Sequence, residues 1–150
     1  MTDQALPSCG GADDLLCFSV YSTGLAFNRV YKPLLDDLGL TYPQYLVMVA
    51  LWAKDDQTVG GLGEQLFLES NTLTPLLKRI EAMDYITRTR DAEDERVVRV
   101  RLTATGAALK DRFPDIRSCI AEATGLSETE METLHTTMRK LRRHLRESVG

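Results

Sequence analysis

The 150-residue sequence predicts a mainly α-helical protein with a small β wing, namely a winged helix-turn-helix with dimerisation helices at its N- and C-terminal ends. Residues 58–83 show helical apolar spacing interrupted by a tight junction, which indicates a helix-turn-helix. Residues 85–102 hold two β-branched segments joined by an acidic tip, which indicates a hairpin. We expect a single domain made of these parts: a flexible tail at 1–12, dimerisation and sensor helices at 13–54 and 103–150, and the winged helix-turn-helix at 55–102.

Two helices are predicted before the helix-turn-helix. The first begins near Asp13, where acidic side chains favour the helix dipole, and it ends at Pro33 and Gly39. Its apolar stripe has helical spacing: Leu16, Val20, Phe27, Val30 and Leu34. The second helix opens at Thr41, with Gln44 at the capping-box position. Because residues 45–52 are apolar almost all round, this helix is predicted to be buried.

The helix-turn-helix is predicted from two short segments and is followed by the hairpin. Residues 62–68 form the first helix, and Ser70 caps the second. The second helix turns its apolar positions inward: Leu73, Leu76, Leu77 and Ile80. Its other face is polar and basic: Asn71, Thr72, Thr74, Lys78 and Arg79. Residues 85–90 and 96–102 are the predicted strands, and residues 91–95 form the tip.

Further helices are predicted after the wing. Thr103 caps a fifth helix, which breaks near Pro114. Ser127 and Glu130 form a capping box that opens an amphipathic last helix. A chain of this length cannot fold all of its long helices onto one small core, so we expect helix exchange between two subunits of a homodimer.

The distribution of charge limits how the protein can bind nucleic acid. The chain has 18 Lys+Arg and 22 Asp+Glu, a net charge of −4. Residues 1–69 carry a net −6, whereas residues 70–101 and 102–150 each carry a net +1. Bulk attraction to phosphate is therefore excluded, and any DNA contact must come from one local surface.

Cysteine spacing and hydropathy exclude other classes. The three cysteines, Cys9, Cys17 and Cys119, contain no C-x2-C pair, and His135 and His144 have no cysteine pair nearby, so we expect neither a metal nor a cofactor. No window reaches the ~18 apolar residues of a membrane span, and the N-terminus lacks the features of a secretory signal. We expect a cytoplasmic protein with no membrane partner.

Several strings resemble the MarR family of bacterial transcription regulators, and within it the organic hydroperoxide resistance repressors (OhrR-type). The specific strings are L-T-Y-P-Q-Y at residues 40–45 and L-T-P-L-L-K-R at residues 73–79, together with Leu16-Cys17-Phe18, Tyr31-Lys32-Pro33-Leu34-Leu35, Leu62-Gly63-Glu64-Gln65-Leu66 and Asp94-Glu95-Arg96. The likeness is close over residues 13–113 and looser beyond.

The resemblance implies a homodimeric repressor that binds a palindromic operator when reduced and is released by organic hydroperoxide. Cys17 matches the peroxide-sensing cysteine, and Tyr31 and Tyr42 match the tyrosines that hydrogen-bond it. Cys119 falls near the cysteine that, in the two-cysteine branch, bonds to the oxidised sensor across the dimer. The residues expected at DNA are Ser70, Asn71, Thr72, Thr74, Pro75, Lys78, Arg79, Arg88, Arg90, Asp94 and Arg96. Among them, Arg96 resembles the family's minor-groove arginine, held by Asp94.

The spacing of the sensor residues ties the chemistry to dimerisation. Cys17 and Tyr31 are 14 residues apart on one predicted helix. At a rise of 1.5 Å per residue they are separated by about 21 Å, which a tyrosine side chain cannot span. Any contact between them must cross a dimer axis between antiparallel helices, where Gly24 lets the helices approach closely. The apolar neighbours Leu16, Phe18 and Phe27 favour an alkyl hydroperoxide over hydrogen peroxide.

Other interpretations remain open from the sequence. Cys17 can be an ordinary small buried side chain, Tyr31 and Tyr42 can serve as core packing, and Cys119 can be a spectator thiol. Cys9, in the predicted tail, is interpreted as an idle thiol. Two alternative functions are a MarR-type regulator that responds to a small aromatic ligand and a thiol peroxidase that turns over through its cysteines.

Overall fold

The computed structural model describes residues 10–113 and 116–150. These residues form two compact units divided between residues 114 and 115, and each is described by itself. The first unit contains a 3₁₀ turn (Ala12–Asp14), α1 (Leu16–Asp36), α2 (Tyr42–Ala53), β1 (Gln57–Thr58), α3 (Val59–Leu66), α4 (Ser70–Ala82), β2 (Ile86–Arg90), β3 (Val98–Leu102), α5 (Ala104–Leu109) and a 3₁₀ turn (Lys110–Arg112). The second contains α6 (Ile116–Thr124) and α7 (Glu128–Val149). The predicted fold class, mainly helical with a β wing, is confirmed.

The wing is a three-stranded antiparallel sheet in the order β1-β3-β2. β2 and β3 pair from Ile86 opposite Leu102 to Arg90 opposite Val98, as the predicted hairpin requires. β1 was not predicted, because Gln57 ends a polar segment, Thr58 opens the predicted helix-turn-helix, and two residues are too short to show alternation. It pairs with the other side of β3, so that Thr58 lies opposite Arg99.

The core of the first unit lies where α2, α3 and α4 meet the sheet. Met48 and Leu51 of α2 and Leu62 of α3 are completely buried. The inward positions predicted for α4 are buried in the same cluster: Leu73, Leu77 and Ile80 fully, with Leu76 partly buried. Each fully buried side chain contributes about 1.5–3 kcal/mol to folding. Helices this short are marginally stable in water by themselves, so the packing of their apolar faces is what stabilises them.

Two of the predicted capping boxes form as expected. The Thr41 hydroxyl accepts a hydrogen bond from the Gln44 backbone N–H at 3.4 Å, while the Gln44 side chain accepts one from the Thr41 N–H at 2.9 Å. Ser127 and Glu130 make the same reciprocal pair at the start of α7. Thr103 caps α5 by accepting from the Gly106 N–H at 2.9 Å. Each cap satisfies backbone donors that a helix start leaves unpaired.

Four predicted helix boundaries were wrong. The first helix of the helix-turn-helix, predicted at residues 62–68, begins at Val59 after the Thr58 cap and ends at Leu66, before Phe67 in the left-handed region at φ 57°. Ser70 is not the cap of α4, because the Glu69 carbonyl already accepts from the N–H groups of Thr72 and Leu73, and the helix therefore starts one residue earlier. Asp13 lies in the separate 3₁₀ turn, and α1 begins at Leu16. α1 also continues through Pro33 and ends at Asp36. Gly39, in the left-handed region at φ 67°, then ends the segment. The expected break at Pro114 and most of the expected tail lie outside the described residues.

The second unit consists of one short and one long helix. None of the residues of α7 is buried, and Leu134 and Leu145 on its apolar stripe are exposed. Over the described parts of both units, none of the helices combines the length and apolarity that crossing a membrane demands.

Candidate functional site

The α4 helix presents one polar face to solvent. Leu73, Leu77 and Ile80 point into the core, which leaves the opposite side of the helix outward. The residues predicted to meet DNA there are exposed, apart from the partly buried Thr74: Ser70, Asn71, Thr72, Pro75, Lys78 and Arg79. Hydroxyls and an amide lie in the first turn, and two cations lie in the second half of the helix. This set suits phosphate contacts together with base-edge readout by an amide and a guanidinium.

The wing tip carries an exposed arginine held by a local aspartate. Arg96 donates from Nε to Asp94 Oδ1 at 3.1 Å and from Nη2 to Oδ2 at 3.2 Å. The Arg96 side chain is nevertheless 91% exposed. These hydrogen bonds from Arg96 hold the pKa of the Asp94 carboxyl below its usual range, so this carboxylate stays ionised at neutral pH. The tip therefore offers a guanidinium to a partner in a fixed orientation.

The two strand arginines predicted at DNA lie in different environments. Arg88 is largely buried, and its Nη2 pairs with Glu81 Oε1 at 3.0 Å. The same carboxylate accepts the Arg88 backbone N–H at 2.9 Å, and these bonds lower the pKa of Glu81. Arg90 is exposed, and its Nη1 donates to the carbonyl of Glu95 at 2.7 Å. Of the two, Arg90 is the one whose charge is left open to a phosphate.

An ion network across the sheet was not predicted. The Arg99 guanidinium bridges Asp56 at 2.8 Å and Asp91 at 3.2 Å, and Arg101 adds a contact to Asp56 at 3.2 Å. Hydrogen bonds from Arg99 and Arg101 lower the pKa of Asp56, and turn hydrogen bonds from the Glu93 and Asp94 N–H groups lower that of Asp91. The alternation of arginines along β3 was visible in the sequence, but their acidic partners lie on other segments.

The two predicted sensor tyrosines lie together. The rings of Tyr31 on α1 and Tyr42 on α2 are 4.8 Å apart between centroids. Tyr45 joins them at 5.7 Å from Tyr31 and connects the pair to an aromatic cluster with Trp52 and Phe113. Tyr45 was missed as a site residue, although its spacing of three from Tyr42 on a helix placed the two on neighbouring positions.

Burial keeps these phenols protonated. It raises the pKa of Tyr31 to about 12, with further contributions from Tyr42 and Tyr45, and it raises the pKa of Tyr42 as well. Both groups are therefore O–H donors throughout the physiological range. A donor pair of this kind suits an anion such as a thiolate.

Cys17 lies at the other end of α1 from the tyrosines. It is exposed in the first turn, and the helix that carries it also carries Tyr31, as the sequence predicted. An open groove of about 570 Å³ runs along α1 and reaches Tyr31 and Tyr42. Among the described residues, its lining does not include Cys17. One copy of the chain thus separates the thiol from the phenols.

An apolar face of α1 is exposed around this groove. Large side chains stand open to solvent along most of the helix: Leu16, Val20, Tyr21, Leu25, Phe27 and Val30. Gly24 lies in the middle of this face, and no described atom comes within 4 Å of a Cβ placed on it. Contiguous exposed apolar surface of this kind is typical of an interface.

Cys119 lies on α6 in the second unit, where it is exposed, and Cys9 lies outside the described residues. Within residues 10–113 and 116–150, no three His, Cys, Asp or Glu side chains are grouped so that they could hold a metal ion.

A polar recognition helix followed by a three-stranded wing defines the chain as a winged-helix protein of the kind that regulates transcription. The model of the family described as transcriptional regulator SarA/Rot matches residues 29–113. The chain is 48% identical over 122 residues to the organic hydroperoxide resistance transcriptional regulator of Bacillus subtilis, and the aligned residues cover 81% of each of the two chains. It belongs to this family of MarR-type transcriptional regulators, and it is accordingly a regulator and not an enzyme, which decides against a thiol peroxidase.

Solved structures agree with this assignment. Reduced AbfR bound to DNA superimposes with a TM-score of 0.79 at 32% identity, covering 92% of this chain and 94% of that one. The organism of AbfR is Staphylococcus epidermidis. A disulfide-formed AbfR has a TM-score of 0.60 at 34% identity, over 84% of this chain and 88% of that one. A mutant of MarR from E. coli with operator DNA has a TM-score of 0.76 at 23% identity over 84% and 92%, which shows the shared fold.

Proposed function

We propose that the chain is a homodimeric, peroxide-sensing repressor. The reduced dimer binds operator DNA in the cytoplasm, and oxidation of Cys17 by an organic hydroperoxide releases it. The observation that carries this proposal is the placement of Cys17 near one end of α1 and of Tyr31, whose ring lies beside that of Tyr42 on α2, near the other end. The similarity to the Bacillus subtilis regulator supports the choice of oxidant.

The sensor is completed by a second copy of the chain. Cys17, Gly24 and Tyr31 are spaced at intervals of seven, so they share one face of α1. If two α1 helices cross antiparallel at Gly24, Cys17 of one protomer faces Tyr31 of the other. The same arrangement covers the exposed apolar face, which supplies the driving force for association.

The sensing step is a two-electron oxidation of sulfur. The Cys17 thiolate attacks the distal oxygen of the hydroperoxide, an S–O bond forms and the O–O bond breaks. The alkoxide leaves and takes a proton to become an alcohol, and Cys17 becomes a sulfenic acid. The phenols of Tyr31 and Tyr42, protonated at neutral pH, donate hydrogen bonds that favour the thiolate before the reaction.

The sulfenic acid then condenses with a thiol. Attack by Cys119 of the other protomer forms the S–S bond, and the hydroxyl of the sulfenic acid leaves as water. A disulfide requires Cα atoms within about 7 Å, so its formation draws the two helices together. The exposure of both thiols supports this route, and the similar AbfR has been solved in a form described as disulfide-formed.

DNA recognition uses the local surfaces already described. The two α4 helices of the dimer enter successive major grooves, about 34 Å apart, and Arg96 of each wing reaches the minor groove. Contacts from α4 come from its exposed polar face. In the wing, Arg90 adds a phosphate contact and Asp94 orients Arg96, while Arg88, paired with Glu81, supports the strand that carries Arg90. Because the spacing of the two α4 helices must match the DNA, a movement of the dimerisation helices lowers affinity.

Anisotropy and non-reducing electrophoresis test the proposal together. The wild type, Cys17→Ser and Cys119→Ser are titrated against a labelled duplex that the wild type selects from a randomised pool, before and after cumene hydroperoxide. We expect all three to bind when reduced, the wild type to be released by peroxide, and Cys17→Ser to keep binding after peroxide. A disulfide-linked dimer should form in the wild type alone. Release of Cys17→Ser by peroxide would contradict a redox sensor at this position, and release by a small aromatic acid alone would favour a ligand-responsive regulator.

A further inference from the structure

We propose that Arg99 is a positioning residue that fixes the wing to the start of the helix-turn-helix and thereby sets the place of Arg96 at DNA. This inference rests on the operator binding proposed above. Arg99 itself is not part of the proposed DNA-binding surface.

The Arg99 guanidinium joins two segments that are distant in sequence. β3 is the central strand, and Arg99 on it lies between Thr58 of β1 and Thr89 of β2. Its Nε donates to Asp56 Oδ1 at 2.8 Å and its Nη2 to the Asp56 carbonyl at 3.4 Å. Its Nη1 donates to Asp91 Oδ2 at 3.2 Å. Asp56 immediately precedes β1 and α3, whereas Asp91 immediately follows β2, so one side chain spans the sheet.

Asp91 passes this constraint to the wing tip. While Oδ2 receives Arg99, its Oδ1 accepts the backbone N–H of Glu93 at 2.8 Å and that of Asp94 at 3.4 Å. The carboxylate thereby fixes both the shape of the turn and its direction relative to β3. Asp94 is one of the residues that this turn holds in place, and its carboxylate orients Arg96. A continuous series of polar contacts therefore runs from Asp56 to the exposed guanidinium of Arg96.

Arg99 acts through Arg96 because its own charge is already paired. Its side chain is 30% exposed and faces two carboxylates, so it offers little to a phosphate. Bridging two acids at once requires the planar, forked donor set of a guanidinium, which a lysine lacks. Arg101, two residues further along the strand, contacts Asp56 and the Thr89 hydroxyl and is not linked to Asp91. It is the matched control for loss of one positive charge on β3.

A double-mutant cycle on DNA affinity tests the inference. The Kd for the selected duplex is measured by anisotropy for Arg96→Ala in three backgrounds: wild type, Arg99→Gln and Arg101→Gln. In the wild type we expect Arg96→Ala to weaken binding about tenfold or more. With Arg99→Gln the same substitution should cost less than about threefold, because Arg96 is no longer held in place. With Arg101→Gln the cost should stay near the wild-type value, and Arg99→Lys should behave like Arg99→Gln.

The outcomes separate this inference from the proposed function. A wild type that selects no duplex overturns operator binding and this inference with it. A wild type that binds, with the same Arg96→Ala cost in all backgrounds, overturns the role of Arg99 alone. If Arg99→Gln does not fold, Asp91→Asn serves instead. Its amide oxygen still accepts the turn N–H groups, while the charge that attracts Arg99 is gone. It should reduce the Arg96→Ala cost in the same way, and an unchanged cost overturns the inference.

Discussion

Gly106→Ala is expected to be among the most destabilising single-methyl substitutions in the first unit. A Cβ built on Gly106 collides with the backbone of Tyr85, most closely with its carbonyl oxygen. The contact cannot be relieved by a side-chain rotation, since the atoms met are backbone. The Gly106 N–H donates to Thr103 at 2.9 Å, and its carbonyl accepts from Trp52 Nε1 at 2.9 Å, so a shift of this backbone strains both hydrogen bonds.

The magnitude follows from these contacts. Two hydrogen bonds at about 1 kcal/mol each and an overpacking cost of about 1–3 kcal/mol give a loss of about 3–5 kcal/mol in the free energy of unfolding. Urea denaturation at fixed protein concentration measures it, because a dimer's stability depends on concentration. Gly60→Ala in α3 is the matched control. No described atom lies within 4 Å of its Cβ, and the alanine should stabilise the helix by about 0.5–1 kcal/mol. Equal midpoints for Gly106→Ala and wild type would refute the steric argument.

Three further predictions concern the sensor, the dimer and the wing. Tyr31→Phe should slow sulfenic acid formation at Cys17 about tenfold, because a charge-assisted hydrogen bond to the thiolate is lost. Mass spectrometry after dimedone trapping measures the rate of sulfenic acid formation. The control Tyr85→Phe should react like the wild type. Gly24→Leu should shift the protein to monomer in analytical ultracentrifugation, and an intact dimer would count against crossing at this residue. The pKa of Asp56 is lowered in the folded state, so its contribution to stability is present above the unfolded value of about 4 and is lost as pH falls through the folded value. Asp56→Asn should therefore flatten the acid limb of a stability–pH profile, and parallel profiles would exclude this linkage.

Local signals in the sequence predicted most of the secondary structure. The capping boxes at Thr41 and Ser127 were readable because cap and partner lie three residues apart. The β2–β3 hairpin was readable for a similar reason, since its strands are adjacent in the chain. Ser70 misled because cap identity depends on which carbonyl accepts the first helical bonds, and the Glu69 carbonyl does so.

The unpredicted parts of the candidate site depend on long-range contacts. The partner of Arg99 at Asp56 is 43 residues away, and no local rule links them. β1 forms only because Gln57 and Thr58 reach the free edge of β3. Arg88 forms an ion pair with Glu81, which lies across the turn between α4 and β2. The geometry of this turn could not be predicted from the sequence. Composition gave the number of cations in the wing but not their partners.

The difference between paired and exposed cations explains how a chain of net charge −4 can carry a DNA-binding surface. Arg88, Arg99 and Arg101 form ion pairs with acids of the same unit, so these acids do not repel DNA as free charges. Lys78 and Arg79 are exposed on α4. The regional charge of residues 70–101 is only +1, yet its cations fall into two groups. Arg88, Arg99 and Arg101 are paired with acids, whereas the exposed cations remain for phosphate: Lys78, Arg79, Arg90 and Arg96. Affinity in the proposed repressor therefore depends on the orientation of a few exposed cations, so we expect a displacement of the dimer helices to be sufficient to release DNA.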